Sequence, residues 1–114
     1  MVEYEIVSGP DNVTIIYVRG EIDSYTAPTL KEAFREMLAA GKTHLILDLE
    51  HVRYMSSQGF ALLLFIHKSV RRAEDGGYLR LVNLAEDVAQ VFRIMALDSY
   101  FEIYPSLAEA LAGL

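Results

Sequence analysis

The spacing of apolar positions changes repeatedly along the chain, and each change predicts an element. Val2, Tyr4 and Ile6 alternate with Glu3, Glu5 and Val7; Gly9, Pro10, Asp11 and Asn12 carry turn chemistry; residues 13–19 are rich in β-branched and aromatic side chains. This pattern predicts an N-terminal antiparallel hairpin. After a polar connection at 21–25, Thr26 is placed to cap a helix with Pro28 in its first turn, where a missing N–H costs little. Leu30, Phe34, Met37 and Leu38 then fall at helical spacing, and Gly41 closes the element.

Residues 44–49 read as a compact apolar strand ending in Asp48, with 52–55 as a short extended continuation. A helix is expected over 57–73, with Lys68, Arg71 and Arg72 near its negative dipole end and Asp75, Gly76 and Gly77 as its stop. Residues 78–82 predict a strand, 86–97 a helix with Val88, Val91, Phe92 and Met95 on one face, 100–104 a last strand and 106–112 a closing helix. Strands alternating with helices after a hairpin imply an α/β fold: a mixed sheet, about four helices, and right-handed crossovers between the parallel strands.

Composition narrows the function classes. The chain has 114 residues, 53% of them hydrophobic and 23% charged, which suits a single packed domain over 1–114 and excludes the low-hydrophobicity composition of disordered chains. The apolar run at 60–66 is far shorter than the roughly 20 residues that span a bilayer. The first residues carry neither a basic region nor an apolar signal core, so a cytoplasmic location without a membrane anchor is expected. Cysteine is absent, which removes disulfides and thiolate chemistry. A net charge of −6 argues against direct contact with nucleic acid and makes a protein the expected partner.

Ser56 and Ser57 stand where the chain leaves a strand and enters a helix, at the positive end of the dipole with backbone N–H groups unpaired. Such a place tolerates an added phosphate, and no acidic residue lies between Ser56 and His67. The plainer reading is a simple N-cap, although Gly59 and Phe60 leave no capping box. His44, His51 and His67 match no metal-ligand spacing, and no metal is expected. The Gly-x-Ser-x-Gly elbow is missing around Ser57, and Gly76-Gly77 lacks the Lys-Ser/Thr of a phosphate loop, so neither catalysis nor a cofactor is expected. The connection from Gly20 to Thr26 is longer than a strand-to-helix turn needs. If the strands at 13–19 and 44–49 are parallel, it shares the carboxyl edge of the sheet with the serine turn, where α/β proteins meet ligands and partners.

Gly20-Glu21-Ile22-Asp23 with Thr26-Ala27, then Leu45-Ile46-Leu47-Asp48-Leu49 with Val52, then Tyr54-Met55-Ser56-Ser57-Gln58-Gly59-Phe60, resembles the STAS domain of bacterial anti-sigma factor antagonists over nearly the whole chain. In that family an Asp-Ser-Ser/Ala-Gly turn carries the serine phosphorylated by the cognate anti-sigma factor, itself a serine kinase. Aligned on Met55 and Gly59, the family Asp falls on Ser56, the phosphoacceptor on Ser57 and the following small residue on Gln58. Two of the four positions depart from the pattern, and Ser56 becomes a rival acceptor. The resemblance implies that the unmodified protein binds the anti-sigma kinase through Asp23, Ser24, Tyr25, Thr26, Ser56, Ser57 and Gln58 and so releases a sigma factor. Phosphorylation would switch it off and a metal-dependent serine phosphatase would reset it. The second reading is a constitutive STAS-like scaffold or accessory subunit of a sensory or transport complex, with the serine turn as a cap only.

A mean hydropathy of +0.23 is high for a small acidic chain. The run at 60–66 covers almost two helical turns, so one sheet-facing stripe cannot bury all of it. Phe65 and Ile66 stand where the family has small or polar residues. They are expected either to be buried under the C-terminal helix or to extend the partner surface, including a homodimer contact, beside Ser57.

Overall fold

The computed structural model describes residues 1–112. The elements in order are β1 (Val2–Ser8), β2 (Thr14–Ile22), α1 (Ala27–Ala39), β3 (His44–Met55), α2 (Ser57–Arg71), β4 (Tyr78–Val82), α3 (Glu86–Ile94), β5 (Glu102–Tyr104) and α4 (Leu107–Ala112). The sheet has the spatial order β1-β2-β3-β4-β5. β1 is antiparallel to β2, and β2, β3, β4 and β5 are mutually parallel. In the hairpin turn Asp11 and Asn12 hold positive φ of 55° and 64°, a conformation that short polar side chains tolerate.

The parallel strands lie in chain order, so every crossover steps the same way across the sheet. Crossovers of one hand then bring α1, α2 and α3 to one face. There they close over Ile16, Val18, Leu45, Leu47, Leu79 and Leu81 with Phe34, Leu63 and Phe92. The alternate residues Ile15, Ile46 and Val82 point to the other face, which α4 covers with Ala110, Leu107 and Leu111. Strand periodicity therefore supplies two cores, one large and one small.

Several expected boundaries move. β3 is one continuous strand of 12 residues rather than a strand and a separate extension. Its pairing with β2 passes from Tyr17↔Asp48 to Arg19↔His51 and from Gly20↔Val52 to Glu21↔Tyr54, so β3 carries an extra residue at each of two bulges. Polar Glu50 and His51 imitate a turn in sequence but lie exposed in the strand. Asp48 does not end the strand. It is 8% exposed, and its carboxylate accepts hydrogen bonds from the Glu50 amide (3.0 Å) and Asn83 Nδ2 (3.0 Å), pinning the first bulge to the end of β4. α3 stops at Ile94, where Ala96 takes a positive φ of 56° and the Leu97 amide reaches back to the Phe92 carbonyl at 2.8 Å. β5 starts two residues later than expected because Tyr100 and Phe101 form turns onto the Leu97 carbonyl.

The apolar run in α2 is resolved by position on the helix. Phe60, Leu62, Leu63 and Ile66 are buried, Leu64 and Phe65 are half-buried, and Ala61 is exposed. Ile66 is 0% exposed in the large core, which removes it from any direct partner surface. Burial of Phe65 and Ile66 beneath the C-terminal helix is also corrected, because α4 lies on the opposite face of the sheet.

Candidate protein-interaction site at the carboxyl edge of the sheet

The strands before the two loops are parallel and in register at their ends, Ile22 opposite Met55. The Ser56 amide extends this pairing by donating to the Ile22 carbonyl at 2.9 Å. The β2–α1 loop and the β3–α2 turn are therefore fixed side by side at the carboxyl edge. Gly59 lets α2 lie close: a Cβ there would meet the Met55 side chain and come within 2.9 Å of the Ile22 carbonyl oxygen.

The loop is held from within. Asp23 Oδ1 accepts from the Tyr25 amide (2.9 Å) and the Thr26 amide (3.0 Å), an Asx turn, and the Asp23 carbonyl accepts from Ala27 at 2.8 Å. The amide of Thr26, with that of Tyr25, holds the Asp23 carboxyl below its ordinary value of 3.8. Thr26 does not cap α1 with its side chain, contrary to expectation. Its hydroxyl donates to the Glu21 carbonyl at 2.6 Å and accepts from the Asp23 amide at 2.9 Å. Thr26 is buried and sets the loop's shape, whereas Ser24 and Tyr25 are exposed, Tyr25 by 90%.

In the serine turn the two hydroxyls part company. Ser56 is the N-cap of α2, with extended backbone and its Oγ accepting from the Gln58 amide at 3.2 Å. Ser57 occupies the first helical position, is exposed, and has no side-chain hydrogen bond among the described residues. The first turn of α2 contains no acidic residue. Gln58 is exposed beside it.

Between α1 and α2 a groove of about 470 Å³ opens from this edge, lined by Ser24, Pro28, Lys31, Gln58, Ala61 and Phe65 among others. Phe65 is half-buried there with Lys31 Nζ 4.7 Å from its ring centre. Lys31 and Ala61 escaped the sequence reading. The signal for Ala61 was the spacing of Gln58, Ala61 and Phe65 on one side of α2, and for Lys31 that of Ala27, Pro28 and Lys31 on one side of α1.

The histidines are scattered. His51 is exposed, His67 is buried, and His44 Nδ1 stands 3.9 Å from Asp75 Oδ2. Among the described residues no three His, Asp or Glu side chains gather as a metal set.

Residues 4–110 match the STAS domain. The chain belongs to the STAS family. Among STAS relatives, it is 36% identical over 88 residues to the anti-sigma-B factor antagonist of Listeria monocytogenes, covering 77% of this chain and 75% of that one. It is 29% identical over 107 residues to the anti-sigma-F factor antagonist RsfB of Mycobacterium tuberculosis, covering 94% and 85%. A crystal structure of an anti-sigma factor antagonist from Mycobacterium paratuberculosis superposes with a TM-score of 0.86 at 26% identity, covering 99% of this chain and 93% of that one. The mixed five-stranded sheet with four helices is the STAS fold.

Proposed function

We propose that residues 1–114 act as one STAS domain, an anti-sigma factor antagonist of the cytoplasm. It binds an anti-sigma factor that is also a serine kinase and is switched off by phosphorylation at Ser57. The names carried by its relatives support the antagonist reading. The observation that carries the choice of switch is the division of labour at the turn: Ser56 is engaged as the helix cap, while Ser57 is exposed and its hydroxyl makes no hydrogen bond among the described residues. The missing family Asp at position 56 is compatible with this, because a serine cap satisfies the same backbone donor an aspartate would.

The mechanism follows from charge. Docking buries the edge formed by Ser24, Tyr25, Ser57 and Gln58, with Asp23 and Thr26 fixing the loop and Phe65 lining the groove beside it. A phosphate adds about −1.5 to −2 charges at that edge. The positive end of the α2 dipole accommodates it in the unbound protein, but in the complex it must be desolvated or meet the partner's own field. Each ~1.4 kcal/mol of that penalty lowers affinity tenfold. A metal-dependent serine phosphatase would restore the binding state.

The test is incubation of wild type, Ser57→Ala and Ser56→Ala with the cognate anti-sigma kinase and ATP, followed by intact-mass and fragment analysis. Wild type and Ser56→Ala should gain one phosphate, and Ser57→Ala none. In titration calorimetry Ser57→Asp should bind the kinase at least tenfold more weakly than wild type. Phosphate on Ser56 would reassign the acceptor. Equal binding by wild type and Ser57→Asp, with no phosphate on either, would instead favour a constitutive scaffold.

A further inference from the structure

At the far end of α2, about 20 Å from Ser57 by the 1.5 Å rise per residue, lies a second polar feature that the serine turn does not involve. Lys68, Arg71 and Arg72 sit three and four residues apart and share one side of the helix. Among the described residues none of them joins an ion pair; the pairs formed are His44–Asp75, Arg80–Glu102 and Arg93–Glu86. With His67 and Tyr100 they line a depression of about 270 Å³. Each of the five side chains carries an N–H or O–H group, and among the described residues no carboxylate lines the depression.

Basic residues at a helix C-terminus also answer the dipole, and three cations exceed the roughly half charge found there. The dipole does not account for His67. That imidazole is only 6% exposed, and its Nδ1, sealed from solvent, has no hydrogen-bond partner among the described residues. Its ring is fixed against Tyr100 and Phe101 at centroid distances of 4.9 and 5.3 Å. Glu102 is the carboxylate whose field reaches His67, and its Oε1 is engaged by Arg80 Nε at 3.2 Å. A buried, oriented imidazole under unpaired cations, in a chain of net charge −6, is a local reversal of the molecule's electrostatics.

We propose that this depression at the foot of α2 binds a phosphate group, held by Arg71, Arg72 and Lys68 and floored by His67 and Tyr100. The guanidinium groups supply paired donors suited to phosphate oxygens, and the ammonium supplies a point charge. The proposal is independent of the serine switch, since its residues and its ligand are different.

The test is a nuclear magnetic resonance titration of the intact protein with inorganic phosphate and pyrophosphate, against sodium chloride at matched ionic strength. Saturable shifts are expected at the His67 ring and at Lys68, Arg71, Arg72 and Tyr100, with none at Ser57. The exposed double variant Arg71→Ala/Arg72→Ala should weaken the response tenfold or more, and Lys42→Ala, at an exposed lysine away from the depression, should leave it unchanged. Co-sedimentation with phosphatidylglycerol vesicles identifies the source: capture lost in the double variant assigns a lipid headgroup, and no capture assigns a soluble phosphate compound. No saturable response to either anion overturns the proposal, as do shifts reproduced by chloride or an unaltered titration of the double variant.

Discussion

A methyl group at position 59 would strike the Met55 side chain and crowd the Ile22 carbonyl oxygen. Gly59→Ala should therefore lower stability by about 1–3 kcal/mol through overpacking, read as a lower urea midpoint with an unchanged slope. His67 gives a pH prediction. Burial, with the nearby charge of Arg71, lowers its pKa below the ordinary 6.5. Between that lowered value and 6.5 the unfolded chain binds more protons, so stability should fall as pH falls through this window and level off beneath it. His67→Leu should abolish that dependence in urea unfolding between pH 7 and 5, whatever its effect on absolute stability; an unchanged pH profile would show that another group is responsible. Some residue roles were not legible. Thr26 and Asp23 are both good caps, and only the geometry of the loop made Asp23 the acceptor and turned the Thr26 hydroxyl back to Glu21. The resemblance set the acceptor on Ser57 with Ser56 as its rival, but which of the two caps the helix and which opens it was legible only in the structure.

Among the elements, α4 is hydrogen-bonded to the sheet through a β4 side chain. Arg80, on β4, donates to Glu102 Oε1 on β5 at 3.2 Å and to the Ala110 carbonyl at 2.7 Å, while its guanidinium lies 4.4 Å from the Tyr78 ring centre and 5.4 Å from that of Tyr104. Hydrogen bonds made by a charged group contribute roughly 1.5–3 kcal/mol each when half-buried. Arg80→Leu should therefore release α4 before the rest of the fold, seen as faster amide exchange confined to residues 107–112. Exchange that rises uniformly would contradict the local role. The alternation of Val2, Tyr4 and Ile6 and the helical spacing of Leu30, Phe34 and Met37 made β1 and α1 legible from sequence. β3 was misread as two pieces because a bulge and a turn both show as polar interruption, and only a neighbouring strand distinguishes them. The run in α2 hid its inner face because period cannot be read where every position is apolar.

For the whole molecule, the proposed switch separates stability from binding. Ser57→Asp places a negative charge on the first turn of α2, where the dipole favours it by about 0.3–1 kcal/mol. The variant should be as stable as wild type or slightly more so in thermal unfolding, with unchanged circular dichroism, while losing affinity for the anti-sigma partner. A destabilised variant would point to control by unfolding rather than by surface charge. The location of the site at the carboxyl edge was legible because it follows from parallel strands alone, whereas the groove beside it needed α1 and α2 placed against each other.

The unpermuted strand order also bears on how the protein is made. Each strand pairs with the one before it in the chain. No strand has to be inserted between two that are already paired, and each β–α unit extends an existing edge. The longest loop closures are then those within single crossovers, which keeps their entropic cost low and favours rapid folding for a mixed sheet. During synthesis, β1 and β2 can pair before β3 has emerged, and every later strand finds its partner waiting. Ser57 becomes a proper helix start as soon as β3 is laid against β2, so the proposed switch can be assembled before the last two strands exist.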